Sequence, residues 1–477
     1  MSEHAALPLC LDLDGTLTRT DTLHESVLEL LKTHPLLLLR LPFWLAGGKA
    51  SMKARLAEHA RPAPDALPYR TDLVEWARRE SATRPVYLAT AAHRSVAEPI
   101  AAHLGFFSGV FATDGVNLSS HRKAAALSAQ FGARGFAYAG NSSDDLAVWA
   151  EAGESIVVEA PAAVTAKARA AGTVAQEFDN RPASALTRLR LWVRALRLYQ
   201  WVKNLLIFLA PLAAHVLDSR TTLLQCLVAF AAFGCAASSI YLVNDLLDLP
   251  ADRAHPRKRL RPFAAGDLPV MAGMLAAPLV ALLAIGLGAL VGPRFLVVLL
   301  IYLVTTTAYS TLLKRKLFVD VATLAALYTL RVVAGAAAVG VALSFWLLAL
   351  CAYGFLSLAL LKRYAELVLM TAAGKTTVAG RAYGPGDTPV VLALGAAAGM
   401  VATFVTAFYI DSQTAHAQYR HPEFLWSLVA LMTLGLGRIW LKAGRGEMHD
   451  DPIVFVARDR FCLTLVGLGV LASMLAT

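Results

Sequence analysis

The chain has 477 residues, 57% of them hydrophobic and only 16% charged, with a mean hydropathy of +0.54. That composition excludes an ordinary soluble protein, and the length allows two to four domains. The formal charge of +10 raises nucleic acid as a partner, but the basic residues sit between apolar runs. Membrane topology accounts for them better, and no nucleic-acid partner is expected. The five cysteines, Cys10, Cys226, Cys235, Cys351 and Cys462, show no CxxC or metal spacing, so neither zinc nor a disulfide framework is indicated. The N-terminal MSEHAALPLCLDLDGT has neither a basic n-region nor a long apolar stretch, and no cleavable signal is expected.

From the start to about residue 180, short apolar runs alternate with polar loops, as in a soluble α/β domain. LPLCLDLDGTLT reads as a strand running into a loop that points Asp12 and Asp14 at the same space. Residues 20–80 interrupt the pattern and read as a helical cap. Within it PLLLLRLPFWLAGG is too short to span a bilayer. It reads first as a buried cap helix, and second as a segment dipping into the membrane interface to bring lipid-linked substrates to Asp12. VYLAT ends a second strand at Thr90, Lys123 opens a helix, and GFAYAG runs into Asn141-Ser142-Ser143-Asp144-Asp145. Strand-end placement of each element predicts an open parallel sheet with its ligand at the carboxyl ends of the strands.

These four motifs, in this order, resemble haloacid-dehalogenase-type (HAD) phosphatases over about residues 5–175. The resemblance implies that Asp12 is the nucleophile that forms an aspartyl-phosphate and that Asp14 is the general acid and base. It also implies that Thr90 and Lys123 hold the phosphoryl oxygens and that Mg²⁺ is bound by Asp12, Asp14 and Asp145. Asn141 stands where many members have Asp, which leaves Asp144 and Asp145 for the metal and keeps a degenerate regulatory domain as a second reading.

Residues 183–198 read as a linker between a HAD-like domain at 1–182 and a membrane domain at 199–477. The latter holds nine apolar runs of spanning length or near it: 199–217, 222–243, 268–290, 295–312, 319–340, 344–361, 388–410, 424–441 and 460–476. The loops after the even-numbered runs, taken with Arg460 at the start of the last run, carry 16 Lys and Arg, against 3 in the alternate loops. The positive-inside rule then predicts a multi-pass protein of the inner, cytoplasmic membrane, with the HAD domain and the acidic motif described next on the cytoplasmic side.

That motif, NDLLDLPADRAHPRKRLRPFAAG, follows the second run. Asn244, Asp245, Asp248 and Asp252 fall close to one face of a helix end, and Arg253, Arg257, Lys258, Arg259 and Arg261 follow at once. Clustered carboxylates suit Mg²⁺, and Mg²⁺ with Arg and Lys suits phosphate oxygens. A solvated basic loop would account for the cations but not for four Asn and Asp in register.

NDxxDxxxD after a second span resembles the first Asp-rich motif of the UbiA superfamily of intramembrane prenyltransferases, over about residues 187–477. The expected fold is therefore an α/β HAD-like (Rossmannoid) domain with a helical cap, followed by an all-α nine-span transmembrane bundle of the UbiA type. The superfamily's second motif, DxxxD, is broken here: Asp320 is present but position 324 is Leu. The run Asn244 to Gly266, LKRYAEL at 361–367 and DDPIVFVARDR at 450–460 are similar to decaprenyl-phosphate phosphoribosyltransferases. That branch implies 5-phosphoribosyl 1-diphosphate as donor and a polyprenyl phosphate as acceptor. Catalytic Asp245 and Asp248 would act with Asn244 and Asp252 in holding Mg²⁺. His255, Lys258, Arg261, Lys314, Arg315, Asp320, Arg331 and Lys362 are the candidate substrate and phosphate ligands. Arg331 lies inside a span, where a charge is costly unless it faces a cavity or partner. A prenyltransferase using a polyprenyl diphosphate and a small acceptor is the alternative, and a homo-oligomer is left open.

Overall fold

The computed structural model describes residues 6–179, 184–372, 374, 382–448 and 452–477; Lys375, Arg381, Asp450 and Asp451 lie outside the described residues. The chain forms two compact units, one of Met1–Leu196 with Tyr241–Ala277, the other of Arg197–Ile240 with Pro278–Thr477.

In the first unit, strands β1 (Leu9–Leu11), β2 (Val86–His93), β3 (Gly109–Thr113), β4 (Ala137–Gly140), β5 (Glu154–Val158) and β6 (Val174–Phe178) form one parallel sheet, in the order β3-β2-β1-β4-β5-β6. Cys10, Ala89, Tyr138 and Val157 pack on one face, and Leu9, Leu11, Leu88 and Ile156 on the other. Such near-continuous burial is what a parallel sheet covered on both sides requires. The strand order reverses at β1, so the crevice expected of an open α/β sheet opens at its carboxyl end. β2 runs on to His93, past the end expected at Thr90, with an irregularity in its pairing between Ala89 and His93.

Helices α1 (Thr22–Thr33), α2 (Pro35–Ala46, opening as a 3₁₀ turn) and α3 (Lys49–His59) form the cap. Helices α4 (Thr71–Glu80), α5 (Arg94–Leu104), α6 (His121–Phe131), α7 (Leu146–Glu151) and α8 (Ala162–Ala171) accompany the sheet. α2 is not the buried cap helix expected first. Leu36, Leu39 and Phe43 are 80%, 73% and 78% exposed, and only Trp44 is buried, against Leu30 and Leu56. A helix apolar on all sides needs cover all round, and α1 and α3 cover one stripe of it.

Next come α9 (Ala185–Ala195) and the short apolar α10 (Leu198–Ala213). Among the described residues seven helices are long and apolar enough to cross a membrane: α11 (Arg220–Leu247), α13 (Val270–Val291), α14 (Pro293–Thr311), α15 (Val319–Val339), α16 (Phe345–Ala372), α17 (Pro385–Ile410) and α18 (Pro422–Gly444). A short helix, α12 (Leu249–Ala254), follows α11. The first and last of the nine expected runs form shorter helices, α10 and α19 (Arg460–Ala476). α16 continues through Lys362 and Arg363, which the sequence placed in a loop. In the second unit a Cβ on Gly335 would lie 1.8 Å from the Ile207 carbonyl oxygen, so α15 and α10 meet backbone to backbone.

Candidate functional site

Asp12 leaves β1 with its N–H bonded to the Ala139 carbonyl of β4 (3.0 Å), which fixes the start of the DxDGT loop to the neighbouring strand. Gly15 then turns at φ +74°, a conformation that favours glycine, and its missing Cβ leaves room for the Asn141 side chain. Asp14 accepts from the Thr22 N–H (2.7 Å). Lys123, from the first turn of α6, donates to Asp12 Oδ1 (2.7 Å) and to the Tyr138 hydroxyl (2.8 Å). Tyr138 in turn donates to Asp145 Oδ1 (2.7 Å). Asp145 Oδ2 accepts from the N–H groups of Asn141 (2.9 Å) and Ser142 (3.0 Å) and from the Ser142 hydroxyl (3.1 Å). Asp12, Asp14, Lys123 and Asp145 thus line one cleft of about 760 Å³. Thr90 is fully buried, its hydroxyl oxygen taking the Ala92 N–H (2.9 Å).

Burial, partly offset by Lys123, raises the Asp12 carboxyl to about 6. Burial, reinforced by Asp21 and Asp12, raises Asp14 to about 7. Burial opposes the charge on Lys123, but Asp12 and Asp145 raise it above its ordinary value. Asp144, expected to share the metal, is exposed, and Asp145 is the buried member of that pair. Tyr138, the hydroxyl linking Lys123 to Asp145, escaped the sequence reading. Its signal was a lone tyrosine amid small residues at a strand end, which reads as core.

The Asp-rich segment belongs to the same unit. α11 ends at Leu247, and Pro250 starts α12 within its first turn. Proline removes an N–H and crowds the preceding turn, so it interrupts the single helix face expected there. The four residues consequently part company: Asp245 and Asp252 are buried, Asn244 is half-buried and Asp248 is exposed. Arg261 Nη1 reaches both Asp245 Oδ1 (3.1 Å) and Asp252 Oδ2 (2.6 Å). Lys258 Nζ lies 3.9 Å from Asp252 Oδ1. His255 is exposed, and its Nδ1 accepts from the Arg257 (3.1 Å) and Lys258 (3.3 Å) N–H groups. Arg253, grouped by sequence with the phosphate-binding cations, is turned inward to Glu25 of α1 (2.6 Å) and to the Ala66 carbonyl (3.0 Å).

In the second unit Arg331 is buried, donating to Asn204 Oδ1 (3.0 Å), the Leu327 carbonyl (2.5 Å) and the Tyr302 hydroxyl (3.1 Å). Lys203 lies over the Tyr328 ring, which also faces Arg331. This cluster of Lys203, Asn204, Tyr302 and Tyr328 around Arg331 was not foreseen. Asp320 and Arg363 are both fully buried, 2.8 Å apart, and the Tyr383 hydroxyl donates to Asp320 (2.8 Å). Arg363 also pairs with Glu366. Lys314 and Lys362 are half-buried and Arg315 is exposed.

Among the described residues no three His, Cys, Asp or Glu side chains are gathered as a metal site. Two carboxylate pairs, Asp12 with Asp145 and Asp245 with Asp252, each converge on one basic side chain. Hard oxygen donors disposed around a cation-sized position fit Mg²⁺.

The UbiA prenyltransferase family model matches residues 205–464. An uncharacterized protein, y4nM, of Sinorhizobium fredii is 38% identical over 95% of this chain and 88% of its own length. A decaprenyl-phosphate phosphoribosyltransferase of Corynebacterium glutamicum is 42% identical over 183 residues, which are 37% of this chain and 54% of that enzyme. The match thus spans about half of the Corynebacterium protein. Among solved structures, a UbiA homologue from Archaeoglobus fulgidus bound to GPP and Mg²⁺ aligns with 60% of this chain and 96% of its own (TM-score 0.42, 15% identity). A HAD family hydrolase from Salmonella enterica serovar Typhi aligns with 36% of this chain and 68% of its own (TM-score 0.27, 14% identity). With that family match over its apolar helices the chain belongs to the UbiA prenyltransferase family, and a parallel α/β sheet bearing DxDGT precedes the matched residues.

Proposed function

We propose that the membrane half transfers 5-phosphoribose from phosphoribosyl diphosphate to a polyprenyl phosphate, and that the HAD-like half removes the 5-phosphate from that lipid-linked product. The observation that carries the first step is an asymmetry between the two acidic regions. Asp245 and Asp252 are gathered around a cation position, whereas Asp320, the remnant of a second motif, is held by Arg363 and Tyr383. One acidic pair suits one diphosphate, and it leaves a prenyl diphosphate donor without its second set of carboxylates. The similarity to decaprenyl-phosphate phosphoribosyltransferases supports the same reading.

In this reading a lipid phosphate oxygen attacks C1 of the ribose as the C1–O bond to diphosphate breaks. The acceptor is already an anion, so no general base is required. Asp245 and Asp252, with Asn244 and Asp248 beside them, would hold Mg²⁺, which supplies charge neutralisation for the departing diphosphate. Lys258 and Arg261 would take phosphate oxygens, with Lys314, Arg315, Arg331 and Lys362 as further candidates. The nine-span bundle, with both sites on the cytoplasmic side, belongs to this proposal.

For the second step, an Asp12 carboxylate oxygen attacks phosphorus and the bond to the ribose O5 breaks. Asp14 gives its proton to that oxygen, which its raised pKa of about 7 favours, and then takes one from the water that releases phosphate. Lys123 would steady the phosphoryl oxygens and Asp145 the Mg²⁺.

The test uses purified protein with Mg²⁺, a polyprenyl phosphate and labelled phosphoribosyl diphosphate. Label entering the organic phase is expected, and Asp12→Asn should accumulate the phosphorylated lipid. No lipid label, with consumption of a prenyl diphosphate and an aromatic acceptor, would replace the transfer by the prenyltransferase reading. Equal accumulation in wild type and Asp12→Asn would remove the coupling.

A further inference from the structure

We infer that α2 lies in the membrane interface and that the cleft beside it draws phosphomonoester lipids directly from the bilayer. The inference deepens the phosphatase reading above and rests on it. Leu36, Leu39 and Phe43 are large apolar side chains left 80%, 73% and 78% exposed on a helix whose only large buried group is Trp44. Single exposed leucines are ordinary, but three such side chains on a segment of twelve residues form a patch that needs an occupant.

The position of α1 in the first unit identifies that occupant. Leu28 of α1 packs with Leu242 and Leu246 in the last turns of α11 and with Val270 and Ala277 at the start of α13. Both helices are long and apolar enough to cross a membrane. The buried pair between Glu25 and Arg253 ties α1 to the segment joining them. One residue, His34, separates α1 from α2. Leu36 is eight residues beyond Leu28, so it lies within about 29 Å of Leu28, which packs on those end turns, even along a fully extended chain. A bilayer that holds α11 and α13 is therefore within reach of the exposed side chains. A short helix with Leu and Phe outward and Arg40 free to extend to the headgroups suits that depth.

The cleft continues from α2. Leu45 of α2 and Lys49 and Lys53 of α3 line it together with Asp12 and Asp14. Lys53 donates to the Ala91 carbonyl (2.6 Å) and to Asn117 Oδ1 (2.9 Å), and Lys49 is exposed next to the apolar end. Apolar edge, two cations and then the carboxylates is the sequence of groups met by a lipid that carries an inner phosphate and a terminal phosphomonoester.

The test uses the full chain in lipid nanodiscs. The five native cysteines are buried, so a nitroxide on Leu39→Cys is selective, with exposed Ala170→Cys on α8 as the control. Oxygen should broaden the label at 39 more than a water-soluble nickel chelate does, with the reverse at 170; chelate dominance at 39 overturns the placement. The triple variant L36S/L39S/F43S should hydrolyse phosphatidic acid carried in the same nanodisc at least tenfold more slowly, with p-nitrophenyl phosphate turnover within twofold of wild type. Equal rates on phosphatidic acid, or equal losses on both substrates, overturn the delivery role. So does a wild type that turns over p-nitrophenyl phosphate but no phosphatidic acid carried in its own nanodisc. A wild type that turns over neither removes the phosphatase reading instead, and the nitroxide then decides the placement alone.

Discussion

Asp12 with Asp145, and Asp245 with Asp252, are both buried carboxylate pairs gathered on one basic side chain, but the two are held in different ways. The first is held by the sheet: β1 and β4 deliver both residues, and Asp145 takes three donors on one oxygen. Its cation, Lys123, is 5% exposed. The second is held by a break between α11 and α12 and by Arg261, which is 28% exposed on an irregular loop. A cation on a loop can leave, whereas one sealed under a sheet cannot leave without local unfolding. The difference therefore separates a prebuilt centre from one whose arginine can yield its place to a competing cation.

The largest effect that would break this contrast is expected at Lys123→Met. It leaves Asp12 and Asp145 buried together without their cation, and removing one member of such a cluster costs about 3 kcal/mol or more. The apparent Tm in detergent should fall and phosphatase turnover should drop by about a thousandfold, with phosphoribosyl transfer retained. Unchanged Tm would mean that Lys123 is not what holds the pair.

Arg261→Met should cost less, on the order of 1–2 kcal/mol, because water already reaches its side chain. Millimolar Mg²⁺ should restore most of that loss, since a divalent cation can sit where Arg261 joins Asp245 and Asp252. Mg²⁺ that rescues Lys123→Met as well as Arg261→Met would erase the distinction between the centres.

A third expectation concerns pH. Burial raises Asp12 to about 6 and Asp14 to about 7, so between pH 4 and 7 the folded chain keeps protons that the unfolded chain has released. Their stabilising contribution is fully present below the unfolded value of 3.8 and is lost as pH rises through the folded values. Denaturation in EDTA should show stability of the α/β half declining from pH 5 to 8, and Asp14→Asn should flatten that decline. A rise over the same interval would contradict the burial of these carboxyls.

How far each centre was legible in the sequence follows the same division. Asp12, Asp14 and Asp145 come together as expected because strand-end motifs are local and a parallel sheet brings their ends together, and Lys123 joins them from the first turn of α6. Tyr138 was missed because its role depends on which face of β4 it occupies. In the acidic segment residue types were legible but directions were not: a helical register presumes an unbroken helix, and Pro250 was passed over. Arg253 was misassigned because its partner, Glu25, is 228 residues away. Arg363 reads as a loop charge because the apolar run ends where the charges begin. In fact α16 continues, burying the guanidinium against Asp320. Exposure of α2 was likewise invisible, since composition says that a segment is apolar and not whether its neighbours are large enough to cover it.

Lys258 offers the smallest and most discriminating change. It is 48% exposed and 3.9 Å from Asp252, a separation at which a surface pair contributes a few tenths of a kcal/mol at most. Lys258→Ala should therefore leave Tm within about 1 °C of wild type. If the loop closes on a diphosphate, the same side chain gains a phosphate partner that is absent from the free protein. KM for phosphoribosyl diphosphate should then rise about tenfold, more at low salt than at high, while kcat at saturation changes little. An equal KM would leave the basic run a solvated loop, and the adaptable centre would then rest on Arg261 alone.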